Sequence, residues 1–463
     1  MDFDNPILDT DSYKFGHHLQ YPPQTAAISH YIEARGANDL VDVVFFGLQM
    51  FLKGLLSRPV TRTHVEEAEA FATAHGQPFN RAGWMHIVER HGGILPLEIE
   101  ALPEGICVRR GVPLVQVTNT DPACFWLPGH VETAMLRAVW YPSTIASQLR
   151  KIRRQLAEML EKTADRPGEH LPYMLMDFGA RGVGAHEQAA IGGAAHLAFF
   201  ASSDNVPAVL AARRFYRAVM AARSMPAAEH TTITAWGGDR EAAAYGNMID
   251  RFARYGALSV VSDSYDINLA VTEVWGKALK EKVQACGATV FIRPDSGDPI
   301  ETPVHVVKQL DYVFGSSINS KGYRVLNPCV RVIQGDGLSV ADMGQVLRRM
   351  EAFGFSADNI VFAMGGGILQ KVNRDIYAFA MKANGRKDTD GRWHDVWKRS
   401  ASMNVKPSKA GRQAVVDSVM GLEAVHLDKL RGRENHLRPV WRNGELLVDW
   451  SLDDIRQRLA RMV

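Results

Sequence analysis

From about residue 173 to residue 366 the chain repeats one pattern. A short apolar run ends in a cluster of Gly, Asp, Arg or Ser, and a stretch with helical spacing of apolar positions follows. The runs are YMLMDFGARG, ALSVVSDSYD, ATVFIRPDSGDP, VRVIQGDGL and NIVFAMGGG; INLAVTEVWGKALKEKV and VADMGQVLRRMEAFG are two of the helical stretches. The later intervals, about 30 to 40 residues, suit strand–helix–strand units, so a parallel sheet is the economical arrangement. The polar tips fall at Asp177, Asp263, Asp295, Asp336 and Gly365. An open doubly wound sheet and a closed barrel both satisfy this pattern. The barrel is favoured, because it collects every post-strand loop on one face, and more strands end in unusual polar residues than a single crevice would use.

The flanks read differently. LPLEIEALPEGICVRRGVPLVQV alternates between apolar and polar positions, and PVWRNGELLVDW carries an Asn-Gly pair suited to a tight hairpin turn. The expected organisation is an α/β barrel over residues 151–385 and an α+β domain built from residues 1–150 with 386–463. The stretch QLRKIRRQLAEMLEKTADRPG reads as an amphipathic helix with a solvated basic face.

Composition narrows the function. Hydrophobic residues make up 46% and charged residues 22% of the 463, which is enough apolar surface for a packed core. The 53 basic and 51 acidic residues leave a net charge of +2, no overall field for a nucleic-acid backbone, so any anion must be held by local groups. The four cysteines form no CxxC pair, which disfavours zinc or a redox dithiol and suits a reducing compartment. The N-terminal stretch lacks the pattern of a secretory signal, and no apolar run approaches a membrane span, so a cytoplasmic protein without membrane partners is expected.

The strand tips carry the candidate chemistry. In IRPDSGDP, Arg293 and Asp295 occupy alternate positions and point to one side. One such pair could simply brace two loops. With Asp263, Asp266, Asp336 and Arg181 at neighbouring tips, a functional cluster is the better reading, since charge at a buried mouth is costly unless used. QGDGL and AMGGG offer backbone N–H groups unobstructed by side chains, which suits phosphate oxygens. Arg374, Lys382, Lys398 and Lys406 form a second cationic set, read on composition alone as scattered surface charge. AAEHTTITAW sets Glu229 beside His230, and DTDSYK places Asp11, Tyr13 and Lys14 ahead of a YPP turn.

In order and together, DTDSYK with YPP, FGLQ, DFGARG, PAAEHTTITAWG, VVSDSYD, IRPDSGDP, VIQGDG and GGGILQKVNRD resemble the nicotinamide phosphoribosyltransferase family, of the type II phosphoribosyltransferase fold. The resemblance covers most of the chain and implies synthesis of nicotinamide mononucleotide from nicotinamide and phosphoribosyl pyrophosphate (PRPP), in NAD biosynthesis. It implies that nicotinamide lies between Phe178 and Tyr13, the latter supplied by the other copy of a homodimer, with Arg181 on the carboxamide oxygen and Asp204 on its NH2. By the same resemblance Arg293 and Asp295 meet the ribose and diphosphate. Gly335, Asp336, Gly365 and Gly366 cradle the ribose and 5′-phosphate, and Arg35, Arg374, Lys382 and Lys398 meet phosphate oxygens, partly across the dimer interface. Magnesium would bridge the diphosphate with help from Asp266 or Asp295. His230, oriented by Glu229, would be phosphorylated by ATP. The chain departs from relatives at Met176 and Ala180, which flank Phe178.

Three other readings are open. Nicotinate phosphoribosyltransferase shares the fold and the donor. A barrel aldolase or isomerase would want a Schiff-base lysine or a carboxylate base, and no lysine stands at the barrel tips named above. A catalytically silent nucleotide-binding dimer would have little use for Asp204, His230, Arg293, Asp295 and Asp336 together.

Overall fold

The computed structural model describes residues 5–35, 42–398 and 408–461. The chain divides into two compact units, residues 1–147 with 214–218 and 372–463, and residues 148–213 with 219–371.

The second unit is the barrel. Five parallel strands, Leu175–Asp177, Ile360–Met364, Val330–Gln334, Thr289–Arg293 and Ala257–Val261, lie side by side in that order. Two extended segments join the outer strands. Asp177 bridges to Ser203, Ser202 to Arg223, and Ala227 to Ser259, all parallel. Ser203 N–H donates to the Arg223 carbonyl at 3.1 Å, and Ser259 N–H to that of Pro226 at 2.9 Å, so the ring of strands closes. Closure leaves no open edge and puts the carboxyl ends of all the strands on one rim. The closing segments, around 201–204 and 222–228, are short and rich in Ser, Ala and Pro, and the hydrophobic pattern does not mark them as strands.

Inside the barrel, Met176, Ile333 and Ala363 form a buried layer, with Phe178, Met225 and Phe291 packed against it. The basic amphipathic stretch belongs to the helix Glu132–Thr163. Its Ile152, Leu156 and Leu160 are buried at four-residue spacing while Lys151 and Arg154 are exposed, as the solvated-face reading requires.

The first unit is built on a seven-stranded antiparallel sheet. Its order is Trp393–Asp395, Ala380–Asp388, Thr25–Glu33, Pro113–Asn119, Leu97–Ala101, Arg438–Arg442 and Glu445–Leu446. Thr25–Glu33 is buried along its whole length. Asn443 and Gly444, with φ of 46° and 92°, make the two-residue turn of the last hairpin, the left-handed pair that Asn-Gly accommodates. Because Ala380–Asp388 pairs with Thr25–Glu33, residues 372–385 belong to this unit, ahead of the boundary expected at 386. Among the described residues no helix is long and apolar enough to cross a membrane.

Candidate active site at the barrel mouth

The rim of the barrel unit gathers most of the predicted residues. After the Leu175–Asp177 strand the chain enters a tight turn over Gly179–Gly182 that carries Arg181, exposed, at the rim. Asp177, fully buried, is not a free acid: one oxygen accepts from Gly179 N–H at 2.7 Å, the other from Asn205 Nδ2 at 2.8 Å. It braces the loops that present Phe178 and Asp204. Phe178 N–H donates to the Met364 carbonyl at 3.0 Å, and its ring rests on the inner apolar layer. Met176 is part of that layer and so lies beneath Phe178 rather than on the open surface.

The turn after Phe178 presses on the glycine loop after Ile360–Met364. A methyl group on Gly182 would stand 2.8 Å from the Gly366 nitrogen and 3.1 Å from its Cα. Gly182 and Gly366 therefore let two backbones meet: a methyl on Gly366 would stand 3.0 Å from the Gly182 carbonyl oxygen, whereas one on Gly365 would come no nearer than 3.4 Å to the Phe178 carbonyl. Gly335 lies over Ala363, and exposed Asp336 accepts through its carbonyl from Gln334 Nε2 at 3.1 Å.

Asp204 follows the first closing segment, and its carboxylate accepts a hydrogen bond from Ser224 Oγ, on the second. Burial in the mouth pushes its pKa up, while the Ser224 hydroxyl and the positive charge of Arg293 pull it down; the net shift is upward. The residue's outer edge is open to solvent, but the carboxylate is crowded enough to lose hydration. Ser224 was not predicted. Nothing in RSMPAAEH marks it locally, because its position depends on a strand too irregular to see in the sequence.

The acidic cluster centres on Asp263. Its Oδ2 accepts from Asp295 N–H at 3.0 Å and from Ser296 Oγ. Its Oδ1 is buried without a hydrogen-bond partner among the described residues and lies 3.7 Å from His230 Nε2. His230 Nε2 is also 3.6 Å from Asp295 Oδ2, and its Nδ1 is 3.2 Å from Ser264 Oγ. Arg293 Nη2 stands 3.8 Å from Asp295 Oδ2 and donates to the Ala228 carbonyl at 3.2 Å, while its buried Nε has no partner among the described residues.

Two predicted members behave differently from expectation. Glu229, expected to orient His230, is not among the hydrogen-bond or ion-pair partners of the imidazole, which are Ser264, Asp263 and Asp295; its backbone N–H and carbonyl both meet Thr232 Oγ1, which shapes the turn that presents the histidine. Asp266 caps the next helix, its Oδ1 accepting from Asn268 and Leu269 N–H at 2.8 and 3.1 Å, so one of its oxygens is spent.

The first unit holds the remaining residues. Arg35, Arg374 and Lys382, distant in sequence, line one pocket of about 150 Å³ together with Glu132 and Asp375. Arg35 Nε is buried without a partner among the described residues. Burial lowers the Lys382 pKa; Glu132 opposes this, and the charges of Arg35, Arg374 and Lys14 add to it. Three cations crowd this pocket beside two carboxylates. Lys398 is exposed and is not among the residues lining this pocket; its backbone N–H donates to Ser408 Oγ at 2.7 Å. Lys406 lies outside the described residues. Tyr13 is 57% exposed in the turn Ser12–Leu19, with Lys14 Nζ 5.4 Å from its ring centre.

Residues 173–444 match the model of the nicotinate phosphoribosyltransferase family, and residues 5–99 match that of the nicotinamide phosphoribosyltransferase N-terminal domain. A nicotinamide phosphoribosyltransferase of Xanthomonas campestris pv. campestris is 46% identical, covering 98% of this chain and 97% of its own. Another, from Acinetobacter baylyi, is 31% identical over 99% of this chain and 98% of its own. The crystal structure of a nicotinate-nucleotide pyrophosphorylase from Pyrococcus furiosus shares the fold, with a TM-score of 0.64 at 16% identity, covering 100% of this chain and 96% of that one. The chain thus belongs to the nicotinate phosphoribosyltransferase family, among its nicotinamide phosphoribosyltransferase members.

Proposed function

We propose that the chain joins nicotinamide to the ribosyl carbon of PRPP, releasing pyrophosphate and forming nicotinamide mononucleotide for NAD biosynthesis in the cytoplasm. The observation that carries this reading is the Asp204 carboxylate, held by Ser224 at the barrel mouth. A carboxylate accepts from the NH2 of nicotinamide and repels the carboxylate of nicotinate. At about 4 Å and an effective dielectric near 20 that repulsion is roughly 4 kcal/mol, on the order of a thousandfold in binding before solvation reduces it. Arg181 donates to the carboxamide oxygen, and Phe178 supplies one stacking face for the pyridine. Tyr13, exposed in its own unit, supplies the second face from another copy, so the functional form is a homodimer with shared sites.

The bond from the ribosyl carbon to the diphosphate oxygen breaks as the pyridine nitrogen attacks that carbon. That nitrogen is unprotonated at neutral pH and needs no base. Positive charge develops on the ribose and is stabilised by Asp295, while Arg293 meets the diphosphate, and Arg35, Arg374, Lys382 and Lys398, in part from the other copy of the homodimer, hold phosphate oxygens. Gly335, Asp336, Gly365 and Gly366 receive the ribose and its 5′-phosphate. Magnesium, when bound, neutralises the diphosphate. The unpartnered Oδ1 of Asp263 and the Oδ2 of Asp295 are hard oxygen donors that fit it, whereas Asp266 has one oxygen committed to a helix cap.

His230 accepts the γ-phosphoryl group of ATP: the bond from the γ-phosphorus to its bridging oxygen breaks, a nitrogen–phosphorus bond forms, and ADP leaves. Ser264 Oγ, 3.2 Å from Nδ1, holds the ring proton there and leaves Nε2 as nucleophile. The test is the purified protein with PRPP, magnesium and either nicotinamide or nicotinate, with and without ATP, reading mononucleotide and pyrophosphate. Preferential turnover of nicotinate would overturn the assignment.

A further inference from the structure

A second cluster of chemically able side chains lies in the first unit, apart from every residue used above. His86 and His91 sit in the helix Arg81–His91, and both direct Nε2 at one carboxylate oxygen, Asp121 Oδ2, at 2.8 and 2.7 Å. The other carboxylate oxygen is fixed by Ala123 N–H at 2.8 Å, so the carboxylate is held in one orientation. Cys124 ends the short turn that Asp121 opens, and its N–H donates to the Asp121 carbonyl at 2.9 Å. Its thiol is buried, and ligand atoms of His86, Asp121 and Cys124 all lie within 4.8 Å of one another. The helix is firmly presented: Asn80 caps its start through Gly83 N–H, Gly92 closes its end in the left-handed conformation, and Trp84 and Ile87 bury its inner face.

We propose that His86, His91 and Asp121, with Cys124 as the fourth donor, bind one borderline divalent transition ion of the Zn2+ class. Two imidazole nitrogens, a carboxylate oxygen and a thiol from two adjoining elements form the mixed donor set that tetrahedral zinc takes, and imidazole and thiol select against magnesium and calcium. The donors come from a helix and a turn some 30 residues further on, so no CxxC spacing marks them in the sequence. Binding needs no redox partner. Each Nε2–H···O bond is replaced by a bond from Nε2 to the ion, the imidazole proton being carried on Nδ1 or lost to solvent, and the thiol proton leaves when Cys124 engages. The ion ties helix 81–91 to the 121–124 turn.

The test uses the full chain without an oligohistidine tag, stripped by chelator and titrated with Zn2+ by calorimetry, with PRPP and magnesium absent. One Zn2+ per chain and a rise in Tm are expected, with affinity falling by on the order of 100-fold or more in His86→Gln/His91→Gln, since even outer-shell changes cost 10- to 100-fold. No stoichiometric binding, or equal binding by the double variant, overturns the proposal and leaves the cluster a hydrogen-bonded brace. Phosphoribosyl transfer with magnesium alone reports whether the variant has folded. If it has not, Co2+ on the wild-type chain decides. Tetrahedral d–d bands that Zn2+ abolishes, with a sulfur charge-transfer band lost in Cys124→Ser, support the site; a featureless spectrum refutes it.

Discussion

His230 Nε2 lies 3.6 Å from Asp295 Oδ2, close enough for the group proposed to carry phosphate and the carboxylate proposed to stabilise the ribosyl cation to share one electrostatic environment. Phosphorylating His230 would put negative charge beside Asp295 and Asp263 and alter the field at the reacting carbon. Coupling of ATP to synthesis then follows from proximity. His230→Ala should lower ATP hydrolysis by on the order of 100-fold or more, the range for losing a group central to the chemical step, while PRPP still binds. ADP release and mononucleotide yield with and without ATP measure this, and undiminished ATP-dependent synthesis would exclude the role.

Asp204 should set the choice of pyridine. Asp204→Asn removes the charge that repels nicotinate, so a preference on the order of a thousandfold should shrink by at least about tenfold in relative kcat/KM. Its folded pKa lies above the ordinary 3.8, so the charged form is disfavoured in the native state and its ionisation weakens folding as pH rises through the folded value. Asp204→Asn should accordingly raise Tm at neutral pH, with the gain vanishing below about pH 3.8. Ser224→Ala removes a hydrogen bond to a charged group, about 1.5–3 kcal/mol, and should raise KM for nicotinamide roughly tenfold or more with a smaller change in kcat. Equal handling of both pyridines by the wild-type chain would contradict the whole series.

Lys382 should show function set against stability. Its pKa is lowered by burial and by neighbouring cations, so its charged form is disfavoured in the folded state; that cost is present at neutral pH and disappears only above the ordinary lysine range. Lys382→Gln should raise Tm slightly at pH 7, yet raise KM for PRPP by on the order of 10- to 100-fold, the loss of a charge-assisted contact. Thermal melts and initial rates at varied PRPP check both signs. A variant that binds PRPP normally would remove the pocket from the substrate path.

Gly182→Ala should act through the neighbouring loop. The new methyl would meet Gly366 backbone atoms, which cannot swing aside as a side chain can. Overpacking of this kind costs about 1–3 kcal/mol, and here it would also displace the glycine loop proposed to receive the 5′-phosphate. Tm should drop and KM for PRPP should rise together. A normal KM with lowered Tm would mean that the loop is only structural.

The barrel strands were legible because each of the five regular ones is an apolar run closed by a polar tip, a local signal. Arg293 and Asp295 come out near one another because alternate positions on a strand end share a side. The roles of Asp204, Tyr13 and Phe178 were not legible that way, and came from the resemblance of whole motifs.

What the chain determines by itself is periodicity and punctuation: which stretches are buried strands, which are helices, where tight turns fall and which polar groups stand at strand ends. Those are short-range properties, set by the spacing of apolar side chains and by Gly, Pro and Asn. The tertiary structure alone decided that two irregular segments close the barrel and so bring Ser224 to Asp204, and that Glu229 shapes a turn instead of touching His230. It also brought Arg35 to Arg374 and Lys382, and His86 and His91 to Asp121. Apart from the three-residue Glu229 turn, each is a pairing across many residues, selected by how strands and helices pack, and no local pattern encodes it.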